Sequence, residues 1–197
     1  MRGFTLLLTT LMLSVAVPGA AHAQDQSGGS EPSGGASTGG TAYGHDPSAP
    51  PRVYAPGSKA VLMDNGFAAA PAAAPEPVQE AVFAANQIVG KPYRYGGGHA
   101  RFKDTGYDCS GTISYALHGG GLLRRPLDSS SFMRWGERGP GRWITVYTNP
   151  GHAYVVIAGL RLDTSAAGER VNSGKGPRWR TGQRKMRGFK LRHPAGL

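Results

Sequence analysis

The chain has 197 residues, a single cysteine and a formal net charge of +10. That length holds one domain with tails. A lone thiol excludes an internal disulfide and, with no histidine pair at ligand spacing, argues against a metal site. The positive balance suits anionic partners. No aromatic-interleaved repeat, zinc spacing or helix-turn-helix pattern accompanies it, so specific nucleic-acid binding is not expected.

Met1 to Ala23 reads as a secretory signal. Arg2 is the charged start, Phe4 to Val17 the apolar stretch, and Ala21-His22-Ala23 the cleavage site. The apolar stretch is short for a bilayer and no later segment is long enough, so no transmembrane segment is expected after cleavage. A retained N-terminal anchor is the rival reading. Residues 24–77 are assigned to a disordered tether rich in Gly, Ser, Pro and Ala, with a pro-segment as the alternative. Within it, Val53-Tyr54-Ala55 and Ala60 to Met63 suit short extended pieces, and Asp64-Asn65-Gly66 a turn. Ala68 to Pro77 reads as linker. The remaining residues, 78–197, form the predicted folded domain.

Pro77 suits the first turn of a helix, and Val78, Ala81, Val82, Ala85, Ile88 and Val89 recur at helical spacing. Gly90 and Pro92 end it. Tyr93-Arg94-Tyr95 then runs into Gly96-Gly97-Gly98-His99, which lacks the Gly-Lys-Ser/Thr of a phosphate loop. His99 is read as structural. The sole cysteine follows, in Tyr107-Asp108-Cys109-Ser110-Gly111. Thr112 to His118 reads as a helix with Ile113, Ala116 and Leu117 on its buried face, stopping at three glycines. Cys109 then lies at a helix N-terminus, where unpaired N–H groups stabilise a thiolate, the nucleophilic form. A buried structural thiol is the alternative.

Ser129 to Trp135 suits a short helix, and Leu122-Leu123 packing on the Cys109 helix. Trp143 to Thr148 and His152 to Ala158 read as strands around an Asn149-Pro150-Gly151 turn. Gly159-Leu160 is expected to turn the chain into Arg161 to Thr164. Helices followed by an antiparallel sheet predict an α+β fold. A cysteine nucleophile needs a base, and the base a third group to orient it. His152 at a strand start is the candidate base, and Asp163 the candidate third residue with Thr164 as fallback. A turn at Gly159-Leu160 sets Asp163 opposite Val156, so reaching His152 requires shear, a bulge or strong twist. From Glu169 to Leu197 there are nine Lys or Arg residues and one acid, a stretch suited to anionic polymers or to solvation alone.

Gly90-Lys91-Pro92-Tyr93-Arg94-Tyr95-Gly96-Gly97, then Asp108-Cys109-Ser110-Gly111, then Gly151-His152-Ala153-Tyr154-Val155-Val156 resembles the NlpC/P60 family of cell-wall peptidases. The resemblance covers about Val78 to Pro194. It implies a papain-like α+β fold and a cofactor-free peptidase, secreted or held in the cell envelope. The implied reaction is cleavage of peptidoglycan stem peptides, typically between D-glutamate and a diamino acid. It implies Cys109 as nucleophile, His152 as base and Asp163 as third residue. Tyr93 would line the cleft, and Asp108 and Ser110 would contact the amino end of the stem peptide. Two departures stand out. The Gly-Asp-hydrophobic segment usual before the histidine strand reads Gly141-Arg142-Trp143 here, and the third residue is acidic where histidine is commoner. The alternatives are a wall-binding module with a silent cleft, and an amidase or acyltransferase acting on another substrate.

Overall fold

The computed structural model describes residues 47–167, 175–182 and 184–197. The predicted signal and the tether up to residue 46 lie outside the described residues. Helix α1 (Glu76–Ile88) has Pro75 at its N-cap and buries Val78, Ala81, Val82, Ala85 and Ile88, the stripe that its spacing predicts. Helix α2 (Cys109–Gly119) starts at the cysteine itself and buries Ile113, Ala116 and Leu117. Asp108 caps it, its carboxylate accepting the Gly111 N–H at 2.8 Å. The two helices pack on each other. Helix α3 is a single turn, Ser129–Phe132, shorter than the expected Ser129 to Trp135.

The main sheet contains β4 (Glu137–Arg138), β5 (Ile144–Asn149), β6 (His152–Ile157), β7 (Leu160–Asp163), β8 (Arg178–Arg180) and β9 (Lys190–His193), in the order β4-β9-β5-β6-β7-β8. All neighbours are antiparallel. Ile144, Val146, Ala153, Val155, Ile157 and Leu162 meet the apolar faces of α1 and α2 in one core cluster. Helix α2 rests on β6 and β7, which brings the helix start near the start of β6.

The β6–β7 turn falls one residue earlier than the sequence suggests. Ile157 pairs with Leu160, so the turn residues are Ala158 and Gly159, at φ 47° and 91°. Two left-handed residues match the twist of a tight hairpin. Alanine is uncommon there, which is why Gly159-Leu160 looked the better turn.

The segment before α1 corrects the tether expectation. Residues 52–75 are folded. Strands β1 (Tyr54–Ala55), β2 (Val61–Leu62) and β3 (Ala68–Pro71) form a small sheet in the order β1-β3-β2, with β1 parallel and β2 antiparallel to β3. The two short extended pieces and the Asp64–Gly66 turn are present, but the supposed linker at Ala68 is the central strand, buried at all four positions. Its alanines are small enough to let the backbone approach α1. Asn86 of α1 then acts as a strand partner: it accepts the Ala68 N–H at 2.9 Å and donates to the Ala68 carbonyl at 2.8 Å. The same Asn86 oxygen accepts the Trp179 indole N–H of β8 at 2.8 Å. Arg52 forms an ion pair with Glu80 and lies 4.2 Å from the Phe83 ring centre. The Ala60 N–H reaches the Ala158 carbonyl at 2.9 Å and ties this sheet to the β6–β7 turn.

Asn86→Ala strands an amide N–H, a carbonyl and an indole N–H in a dry interior, at about 1–3 kcal/mol per unmet group. Thermal melting is expected to drop by roughly 10 °C or more. A midpoint unchanged from the parent would mean that the side chain does not join the two sheets.

Candidate active site

Cys109 is the first residue of α2, free and half-buried. The first turn of this helix lies against the glycine loop: a Cβ on Gly111 would collide with the Gly97 carbonyl. That close approach explains why glycine follows Cys-Ser. Burial pushes the Cys109 thiol up. Hydrogen bonds with the His152 side chain and the Ala153 backbone N–H, together with the charge on His152, outweigh burial and the opposing charge of Asp108, and leave the thiol below its ordinary value.

His152 opens β6, where Asn149 Oδ1 accepts the backbone N–H groups of Gly151 and His152, each at 2.9 Å. The imidazole Nε2 lies 3.0 Å from Asp163 Oδ1, which leaves Nδ1 for the sulfur. Burial pushes the imidazole down. The hydrogen bonds to Asp163 and Cys109, with their charges, prevail and raise it to about 9. The two groups titrate as a coupled pair, and both shifts run in the direction of thiolate beside imidazolium.

The register explains how Asp163 arrives. Val155 faces Leu162 and Val156 faces Arg161. One further step puts Asp163 opposite Tyr154, making His152 its diagonal neighbour on the same face. The earlier turn supplies this without a bulge. Asp163 is 1% exposed. Oδ1 also accepts the Ser165 N–H at 2.9 Å, and Oδ2 accepts Arg184 Nη1 at 3.1 Å. Burial pushes its carboxyl up; His152, the Ser165 N–H and the Arg184 charge together hold it below the usual carboxylate range.

Beside the sulfur is a second cluster. Asp108 Oδ1 meets His99 Nε2 at 2.9 Å and Ser110 Oγ at 3.3 Å, and Oδ2 accepts the Gly96 N–H at 3.0 Å. His99 Nε2 is also 3.1 Å from Ser110 Oγ. Asp108 and Ser110 are buried, whereas the His99 side chain keeps 30% of its exposure. The Asp108 hydrogen bond raises the His99 pKa against the effect of burial. Asp108 is thus engaged by its own chain on both oxygens, and His99 is the more open member of the cluster. Burial raises the Tyr93 phenol, and the charges of Cys109 and Asp108 raise it further; the side chain remains 43% exposed.

No family model matches the sequence, and no curated protein does. Among solved structures, the chain is similar to the peptidoglycan hydrolase RipB from Mycobacterium tuberculosis, at 22% identity and a TM-score of 0.45, over 59% of this chain and 64% of that one. A mutated form of RipA, the resuscitation promoting factor interacting protein, matches at 20% identity and a TM-score of 0.45, over 61% of this chain and 65% of that one. The chain therefore spans less than two thirds of either. RipD from Mycobacterium tuberculosis, described as a non-catalytic NlpC/p60 domain protein adapted to peptidoglycan binding, matches at 19% identity and a TM-score of 0.45, over 61% of this chain and 98% of that one.

Cys109, His152 and Asp163 come together; Asp108 and Ser110 flank the cysteine in the chain, and the Tyr93 backbone pairs with Tyr107 just before it. Two arginines were not foreseen. Arg161 Nε stands 3.7 Å from Asp163 Oδ2. Arg184 reaches both Asp163 and His152 from the basic C-terminal stretch. In the sequence Arg184 does not differ from its many basic neighbours.

Proposed function

We propose that the protein is a secreted cysteine peptidase that hydrolyses amide bonds in peptidoglycan stem peptides, at the D-glutamyl–diamino acid bond. The observation that carries the reaction class is the chain of contacts from Cys109 at a helix N-terminus to His152 and from His152 Nε2 to Asp163 at 3.0 Å. The substrate class rests on the sequence resemblance, and export on residues 1–23. The papain-like reading of the fold is supported by the cysteine helix lying against the histidine strand.

In this mechanism the Cys109 thiolate attacks the scissile carbonyl carbon, and the carbonyl π electrons move onto oxygen. The Cys109 backbone N–H at the start of α2 faces that developing charge. As the tetrahedral species collapses, the C–N bond breaks and His152 gives its proton to the leaving amine. Water then adds to the thioester, passing a proton to His152. The C–S bond breaks, releasing the acid and restoring the thiolate. Asp163 keeps the imidazole oriented throughout. The test is product analysis on purified muropeptides: new amine termini at the diamino acid are expected, and intact muropeptides after prolonged incubation would reject the reading.

Anionic wall polymers are the second proposed partner, and the fold redistributes the charge that would bind them. Arg180 is buried and Arg184 partly buried, both turned toward Asp163. The outward basic groups line two concavities. One, of about 320 Å³, is lined by Arg138, Lys190, Leu191 and Arg192. The other, of about 520 Å³, includes Arg124, Arg125, Arg134 and Trp135. Arg192 donates to the Met133 carbonyl, next in the chain to Arg134. Changing Arg124, Arg125 and Arg134 together to Gln is expected to weaken retention on insoluble wall material about tenfold at low salt. Retention equal to the parent and insensitive to salt would refute it.

A further inference from the structure

The geometry points to Arg184 as a positioning residue that locks Asp163 toward His152 and offsets its charge, so that the buried acid serves as an oriented hydrogen-bond acceptor. This rests on the reading of Cys109 and His152 as the reacting pair and deepens it. Arg184 Nη1 donates to Asp163 Oδ2 at 3.1 Å, opposite the oxygen that faces the imidazole. Its guanidinium carbon lies 5.6 Å from the ring centres of both Tyr154 and Phe189, so two aromatic side chains hold the cation in place. A planar guanidinium lies against aromatic rings better than an ammonium does.

The charges around the imidazole can be set out by element. Helix α2 brings Cys109, and β7 brings Asp163 with Arg161 against its outer oxygen. From β8, the Arg180 Nε donates to the Asp163 main-chain oxygen at 3.3 Å. The stretch between β8 and β9 brings Arg184, whose Nη1 is 3.2 Å from His152 Nε2. Two N–H groups cannot donate to each other. When Nε2 donates to Asp163, Arg184 therefore faces the imidazolium as a like charge. It opposes protonation of His152 directly, and again by neutralising the acid that favours protonation.

Both effects have the same sign. Removing the Arg184 charge is expected to raise the His152 pKa above its value of about 9, by roughly one pH unit. The alkaline limb of kcat/KM moves up with it, while the acid limb, set by Cys109, stays. The experiment compares wild type with Arg184→Gln, Arg184→Met and Arg184→Lys. His152 is titrated by NMR in the folded proteins, and hydrolysis is followed across pH. Gln and Met are expected to shift the titration upward, and Lys to keep it near wild type. The Met chain keeps apolar contact with the two rings, which meet edge to face at 5.2 Å, and serves if the Gln variant does not fold. An unshifted or lowered His152 titration in the neutral variants, or a Lys variant that shifts as far as they do, overturns the inference. The NMR arm needs no substrate. A protein that shifts as expected but leaves muropeptides intact contradicts the proposed activity and not the role of Arg184.

Discussion

Replacing Cys109 with Ala is expected to abolish hydrolysis, with a loss of at least about a thousandfold in kcat. Among the described residues, the hydroxyl next in the chain, on Ser110, is no comparable nucleophile, being buried and bound to Asp108 and His99. Cys109→Ser should be almost as inactive. A serine hydroxyl stays protonated where the sulfur, beside His152 and the Ala153 N–H, is already biased toward its anion. Neither change should disturb the fold, because Cys109 is only half-buried and its backbone is set by the Asp108 cap. Muropeptide digests resolved by mass spectrometry, with melting curves of both variants, check this. Turnover by Cys109→Ala within tenfold of the parent would place the chemistry elsewhere.

Asp163→Ala is the second large effect, and it strikes stability and turnover together. The carboxylate is fully enclosed and faces His152, Arg184 and Arg161. Without it the three cationic groups confront one another in a dry pocket, costing about 3–5 kcal/mol of stability. His152 then loses the partner that outweighs its burial, so its pKa falls from about 9. With less imidazolium at neutral pH, the thiol pKa rises. Turnover of the folded fraction is expected to drop by about a hundredfold to ten-thousandfold. Thermal melting and pH-dependent alkylation of Cys109 follow the two effects separately. If alkylation keeps the parent's pH dependence, Asp163 has no part in the ion pair.

What could be read in advance depended on whether the signal was local. The stripe of α1, the cap and buried face of α2, and the alternation of β5 and β6 are written in neighbouring residues, and the spacing located each within a few positions. The sheet before α1 was hidden for the opposite reason. Ala68 to Pro71 has no alternating pattern, and its hydrogen-bonding partner is a side chain on α1, Asn86. The turn was missed by one position because Ala158 adopts a conformation that alanine seldom takes. Arg184 could not be singled out, since only folding separates it from the exposed Lys185 and Arg187 beside it. Asp108, a substrate contact by the resemblance, has both its oxygens hydrogen-bonded within its own chain, which no local pattern in the sequence reveals.

The two-residue turn at Ala158 and Gly159 has a bearing on how this protein can change over time. Surface turns usually absorb added or lost residues without harm. Here a single insertion would slide β7 along β6 by one residue and aim the acid at the wrong face of the sheet. The tip of that hairpin works as a ruler for the candidate site, so its length should be guarded as closely as the identity of the residues it aligns.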